Sequence, residues 1–309
     1  MAVGPASVAR ASLAGRATSR RSLLEREGVF SWVMLAPGVL FLLAFVAYPF
    51  VYGIFISLQD RRVASPGTFV GLANFVAQAH DAVFWQVTRN TFIYTIVATF
   101  LKMTGGLAMA LVINQQFRGK NLARALLLLP FIVPTVLSTV AWMWIFDPTF
   151  SVINWTLRHT GLVTENFSWL GNATLAMVSI IIVNTWRGLP FYGITLLAGL
   201  QTISPDLYEA AAIDGASVTQ RFWHITIPVI KPVLIIVTMF SVIFTFSDFQ
   251  LPYILTHGGP ANATHLFATY AFDIGMSAGQ IGMGAAVALA MLPALGLLIV
   301  FLTLYLRRE

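Results

Sequence analysis

The sequence predicts an all-α polytopic membrane protein with about six transmembrane helices, and three observations carry that prediction. Hydrophobic residues fill 58% of the 309 positions and charged residues 10%, with a mean hydropathy of +0.80. A soluble domain of that balance could not cover its own surface with polar groups. Six stretches reach the roughly 20 apolar residues that a helix needs to cross a bilayer: 30–58, 91–114, 122–146, 173–200, 225–249 and 284–306. The basic residues sit beside these stretches, where topology explains them better than nucleic-acid binding does.

Residues 1–28 are polar and carry Arg10, Arg16, Arg20, Arg21 and Arg26. No short apolar core with a small-residue cleavage site follows them, which argues against a secretory signal. Their Arg- and Ser-rich composition is only superficially that of an organelle transit peptide. They read as a disordered cytoplasmic tail that orients the first span, leaving 29–309 as the membrane domain. Pro37, Pro49, Pro130, Pro134 and Pro190 fall inside predicted spans. Transporters tolerate such prolines where neighbouring helices or cavities satisfy the freed carbonyls.

Basic residues fix the sides. The N-terminal arginines fall on one side with Arg118, Lys120, Arg124, Arg221, Lys231, Arg307 and Arg308, whereas Arg61, Arg62, Arg89 and Arg158 fall on the other. Both termini and the segment around Glu209 are thereby assigned to the cytoplasm. Segments 59–90, 147–172 and 250–283 lie outside, the last with a turn at Gly258-Gly259-Pro260. Small residues of the last span and its approach, from Gly279 to Ala290, predict close helix packing, either within the chain or at a partner interface. The chain has no cysteine, which excludes a disulfide or a thiolate metal site.

The segment around Glu209 is a polar interruption between two spans. Ser204-Pro205-Asp206 combines a cap, a first-turn proline and an acid, and Gly215 can stop the helix in the left-handed conformation. A short helix is predicted over 206–214, within a handle of about 204–216. Ala210, Ala211 and Ala212 allow close approach by another protein, and Glu209 and Asp214 supply charge to orient it. A phosphate-cradling G-x-x-x-x-G-K-[ST] loop is missing. At the nearest match, Gly119-Lys120, Asn121 replaces the Ser/Thr and Asn114 the leading Gly.

Ionisable residues at membrane depth are costly and mark cavities or partners. Lys102, Arg187 and Asp248 qualify. Asn184, Arg187, Gly188 and Phe191 are spaced i, i+3, i+4, i+7, one helical face, and Ser241, Phe244, Thr245 and Asp248 repeat the pattern. Two such stripes suit a sugar, whose hydroxyls want polar partners and whose C–H face wants an aromatic ring. The bland alternatives are mutual neutralisation of Arg187 and Asp248 and, for Lys102, snorkelling. Paired catalytic carboxylates, metal-spaced histidines and a nucleophile–base motif are all missing, which argues against an enzyme.

Glu209-Ala210-Ala211, Gly215 and the closing Ile225-Thr226-Ile227-Pro228 keep a family spacing. It resembles the cytoplasmic coupling loop of binding-protein-dependent ATP-binding-cassette importers, with Ile227 in place of the usual Leu. Leu197-Ala198-Gly199-Leu200-Gln201, Tyr208-Glu209-Ala210-Ala211, Asp214-Gly215-Ala216 and the turn from Ile254 to Pro260 extend the likeness to the larger subunit of maltose-type carbohydrate permeases. The resemblance implies a type I permease core in a bacterial inner membrane. Tyr208, Glu209, Ala210, Ala211, Asp214 and Gly215 would dock a separate ATPase. ATP and Mg would belong to two such ATPase subunits, with no cofactor on this chain. The other partners implied are a second homologous permease and an extracytoplasmic substrate-binding protein.

Counted from the coupling-loop glutamate, the family's substrate contacts fall on the two stripes already named. Arg187 stands where the maltose-transporting members have an apolar residue, and Asp248 where they have an amide. A sugar of another hydroxyl pattern, or one with an acidic group, fits as well as maltose. Rival readings are an importer for another small polar solute and an ion-coupled carrier using Asp248.

Overall fold

A computed structural model describes residues 27–307. The predicted tail lies outside the described residues apart from Glu27 and Gly28, which already belong to the first helix. The chain divides near Gly53 into a short N-terminal unit and a larger one. The N-terminal unit is the first span. Helix α1 (Glu27–Leu42) passes through a π-turn (Leu43–Ala47) into α2 (Tyr48–Ser57), which continues into the larger unit. The π-turn ends two residues before Pro49, whose missing N–H leaves the Phe45 carbonyl without its ladder partner.

The larger unit is built on three long helices: α4 (Ala82–Asn114), α8 (Ala173–Leu200) and α11 (Ile227–Phe246). Helix α4 starts nine residues before the predicted 91, because the Asp81 carboxylate caps it by accepting the Val83 N–H at 2.9 Å. The segment read as a loop over 59–90 therefore contains the first turns of α4. It also holds a small antiparallel ribbon, β1 (Gln59–Asp60) with β2 (Thr68–Phe69), and helix α3 (Ala73–Ala79). Asn74 Nδ2 staples this segment by donating to the Ser57 and Gln59 carbonyls at 2.7 and 2.9 Å.

Helices α4 and α8 approach closely because glycine faces large side chains. A Cβ at Gly106 would collide with Tyr192, and one at Gly193 with Met109. Tyr192, Leu196, Leu200, Ile230 and Val237 form the apolar core around this crossing. Small residues serve the same purpose in other membrane helix pairs, where packing replaces the hydrophobic drive.

The predicted third span, 122–146, is two helices rather than one. Helix α5 (Lys120–Ile132) and α6 (Thr135–Phe146) meet at 94°. Pro134 cannot donate to the ladder and holds Val133 extended (φ −66°, ψ 130°), so the helix cannot run through. Among the described residues five helices are long and apolar enough to cross a membrane, and this bent pair makes six if it counts as one span. The fifth span begins as α10 (Val218–Arg221) and passes through a π-turn (Phe222–Thr226) into α11. Here too the π-turn ends two residues before a proline, Pro228.

The intervening segments are also helical. Helix α7 (Val152–His159) follows α6, and α9 (Pro205–Ile213) follows α8. Beyond α11 come α12 (Gln250–Thr256), α13 (Phe267–Phe272), a π-turn (Asp273–Ser277) and α14 (Ile281–Arg307). The predicted close packing of small residues is present where Gly284 meets Gly275 and Gly282 meets the Gln59 carbonyl. Burial pushes the His265 imidazole below its usual range, with the nearby Asp273 carboxylate opposing.

Gly106→Leu should destabilise the larger unit by at least about 1–3 kcal/mol through overpacking against Tyr192. Gly296→Ala, with nothing near its Cβ, should be neutral. Thermal unfolding of the detergent-solubilised protein measures both, and equal Tm values would contradict the packing described.

Candidate functional site

Helix α8 turns Asn184, Arg187, Gly188 and Phe191 toward α11, whose Ser241, Phe244 and Thr245 share one face. These seven residues and Asp248 all line one cavity of about 490 Å³. That volume lies in the range of small-molecule sites, roughly 300–1,000 Å³. The expected pair of facing stripes is thus present, with one correction. Asp248 is not on the α11 helix. The helix ends at Phe246 with Ser247 as its cap, and Asp248 sits in the break before α12. Its carboxylate reaches the cavity because the chain turns there.

A hydrogen-bonded chain runs behind the cavity wall. Tyr94 Oη donates to Asp248 Oδ2 at 2.7 Å, and Asn184 Nδ2 donates to the same oxygen at 3.1 Å. Asn184 Oδ1 accepts from Lys102 Nζ at 2.9 Å, and Lys102 Nζ also donates to Thr245 Oγ1 at 2.7 Å. The chain ties α4, α8 and α11 together and specifies every polar orientation in it. Among the described residues no ion pair within 4.0 Å joins Arg187 to Asp248, although the Asp248 carboxylate lies near enough to feel the Arg187 charge. Lys102 does not snorkel: it is buried and lines the cavity. Gly188 makes room for it, since a Cβ there would strike the Lys102 aliphatic chain.

The aromatic wall comes from three helices, α5, α8 and α11. Phe191 stacks on Phe131 of α5 with ring centroids 6.2 Å apart and planes at 15°. Phe244, largely exposed, stacks on Phe240 at 6.3 Å. Sequence reasoning missed Phe131, Phe249 and Tyr94. Tyr94 gave no signal, as one aromatic in an apolar span. Lys102 did carry a signal, as a cation at membrane depth, but its direction depended on Gly188 opposite.

The second candidate site is the handle. Ser204 caps α9, its Oγ accepting the Asp206 N–H at 3.4 Å, with Pro205 in the first turn. Gly215 is left-handed (φ +82°). The Ala216 N–H reaches the Ala211 carbonyl at 2.8 Å and the Gly215 N–H the Ala212 carbonyl at 3.1 Å, which is a Schellman ending. Helix α9 therefore covers Pro205–Ile213, and Asp214 is its C-cap rather than its last residue. Glu209, Ala210 and Asp214 are exposed, as is Ile213 at 87%, a residue the sequence did not single out. Tyr208 faces inward and its hydroxyl meets Thr226 Oγ1 at 2.8 Å, fastening the handle to the base of α11.

Four likenesses bear on the chain as a whole. Residues 102–309 match the family model for the binding-protein-dependent transport system inner membrane component. The chain is 36% identical over 268 residues to the trehalose/maltose transport system permease protein of Thermococcus litoralis, covering 86% of this chain and 90% of that one. It is 32% identical over 261 residues to the sulfoquinovosyl glycerol transport system permease protein of Agrobacterium fabrum, covering 84% of each. Among solved structures, a bacterial importer of the acidic polysaccharide alginate has the same fold, with a TM-score of 0.80 at 21% identity, covering 92% of this chain and 97% of that one. The chain belongs to the family of binding-protein-dependent transport system inner membrane components, and is a multi-pass transport subunit of the inner membrane.

Proposed function

We propose that this chain is one transmembrane half of an ATP-driven importer that carries a sugar or sugar derivative. The observation that carries the reading is the single cavity lined by all eight residues of the two stripes, where hydrogen-bonding groups stand beside the Phe131–Phe191 wall. Sugars present both faces at once, hydroxyls for Asn184, Asp248 and Ser241 and C–H surface for the rings. The named substrates of the two relatives, trehalose or maltose and sulfoquinovosyl glycerol, support the same class.

The handle is the docking element of the proposal. Glu209, Ala210, Ala211, Asp214 and Gly215 lie on or beside α9, with Tyr208 anchoring it. Two ATPase subunits would bind ATP and Mg, and a second permease would complete the cavity. A binding protein would deliver substrate to the outer face. Closure of the ATPases on ATP presses on α9, and the spans rock to expose the cavity outward. Hydrolysis resets them. No covalent step occurs in this chain. Both termini and the handle lie in the cytoplasm on the charge asymmetry already described.

Glu209→Lys should leave the chain in the membrane while reducing uptake by at least an order of magnitude, with ATP hydrolysis no longer linked to transport. Normal uptake together with normal ATPase assembly in that variant would refute docking at α9. For the cavity, Asp248→Ala removes the acceptor of both Tyr94 and Asn184. Unpaired buried donors cost about 1–3 kcal/mol each, so substrate uptake should fall by tenfold or more, or change its preferred sugar. Measured uptake with unaltered rate and selectivity would remove Asp248 from the substrate path.

A further inference from the structure

The charges that face the cavity do not balance. Among its lining residues Lys102 and Arg187 are basic and Asp248 is the single acid. Asp248 is already answered, with Oδ2 accepting from Tyr94 and Asn184 and Oδ1 facing the Leu251 N–H at 3.5 Å. Lys102 is answered by Asn184 Oδ1 and Thr245 Oγ1.

Arg187 is the exception. Its Nε is buried and has no hydrogen-bond partner. Among the described residues the one ion pair within 4.0 Å is Arg62 with Asp60, remote in sequence from this site. Two bases against one acid leave the cavity with a surplus positive charge at membrane depth, and the unpartnered Nε points to a partner that comes and goes. One turn along α8 stands Phe191, stacked on Phe131. A planar fork of donors beside an aromatic wall suits a ring that carries a planar or tetrahedral anion.

We infer that the cavity takes an anionic saccharide, whose acid group pairs with the Arg187 guanidinium while the ring lies against Phe131 and Phe191. This rests on the reading of the cavity as the sugar path and narrows it. Asn184 and Asp248 then read the hydroxyls, and Arg187 sets the preference for charge. A carboxylate and a sulfonate offer the same chemistry to the fork.

The test uses the complete importer in proteoliposomes with its binding protein. The probes are glucuronic- and galacturonic-acid-terminated disaccharides, a 6-sulfonated glucoside, and the neutral parent of each. At least one anionic probe should enter about tenfold or more faster than its neutral parent, a ratio in keeping with a charge-assisted hydrogen bond. Which acid wins separates carboxylate from sulfonate. Arg187→Gln should abolish the preference and Arg187→Lys should retain part of it. The binding protein is unchanged across variants, so any difference belongs to the cavity. The lysine variant also reports whether a loss comes from charge or from misfolding. Import of neutral sugars alone, or a preference that survives Arg187→Gln, overturns the charge assignment and leaves the sugar reading standing. Import of neither kind of saccharide overturns both.

Discussion

The larger unit depends on one side chain at the centre of its polar network. Asn184 is the only amide in that network, and it uses both ends: its oxygen accepts from Lys102 and its nitrogen donates to Asp248. A carboxamide carries its acceptor and its donors on separate atoms, so it can face a base with one end and an acid with the other. It therefore sits between Lys102 and Asp248 and is hydrogen-bonded to both. An aspartate there would lose the donor, and a leucine would leave Lys102 with Thr245 alone and Asp248 without its amide donor. Because Lys102 is on α4 and Thr245 on α11, the amide also fixes how three helices are rotated about their axes.

Much of this was legible in the sequence, and the reasons differ by element. The spans at 173–200 and the handle were readable because hydrophobic length, capping chemistry and the glycine stop are local properties. The two stripes were readable because 3.6-residue spacing places residues on a face without knowledge of the neighbour. What could not be read was whatever depends on the neighbour. Lys102 points into the cavity because Gly188, 86 positions later in the chain, leaves space for it. Asp248 kept its place at the cavity but not on its helix, since the i+7 count runs on past a helix end that Ser247 imposes.

Proline explains both of the larger departures from regular spans. At Pro134 the chain has an extended residue before it and the helices diverge by 94°. At Pro49 and Pro228 the helix persists, and the offset is absorbed one turn earlier as a π-turn. Composition treats the three alike. The outcome differs because Val133 leaves the helical region, whereas Tyr48 and Ile227 stay helical at φ −61° and −62°.

The fastening of Tyr208 to Thr226 has a mechanical consequence. Helix α9 is closed at both ends by its own backbone and caps, so a load applied to it moves it as a body instead of unwinding it. The load leaves through the Tyr208 hydroxyl and enters the fifth span at the last residue of its π-turn, where the ladder is already out of step. From Thr226 to Thr245 is 19 residues along one continuous helical path, about 28 Å at 1.5 Å per residue. A tilt of a few degrees at the bottom of such a rod becomes a displacement of an ångström or more at the top. Thr245 is the residue that holds Lys102. In the coupling proposed for α9, the fifth span would act as a crank arm, with its bearing at the π-turn and its far end on the hydrogen bond between Lys102 and Thr245.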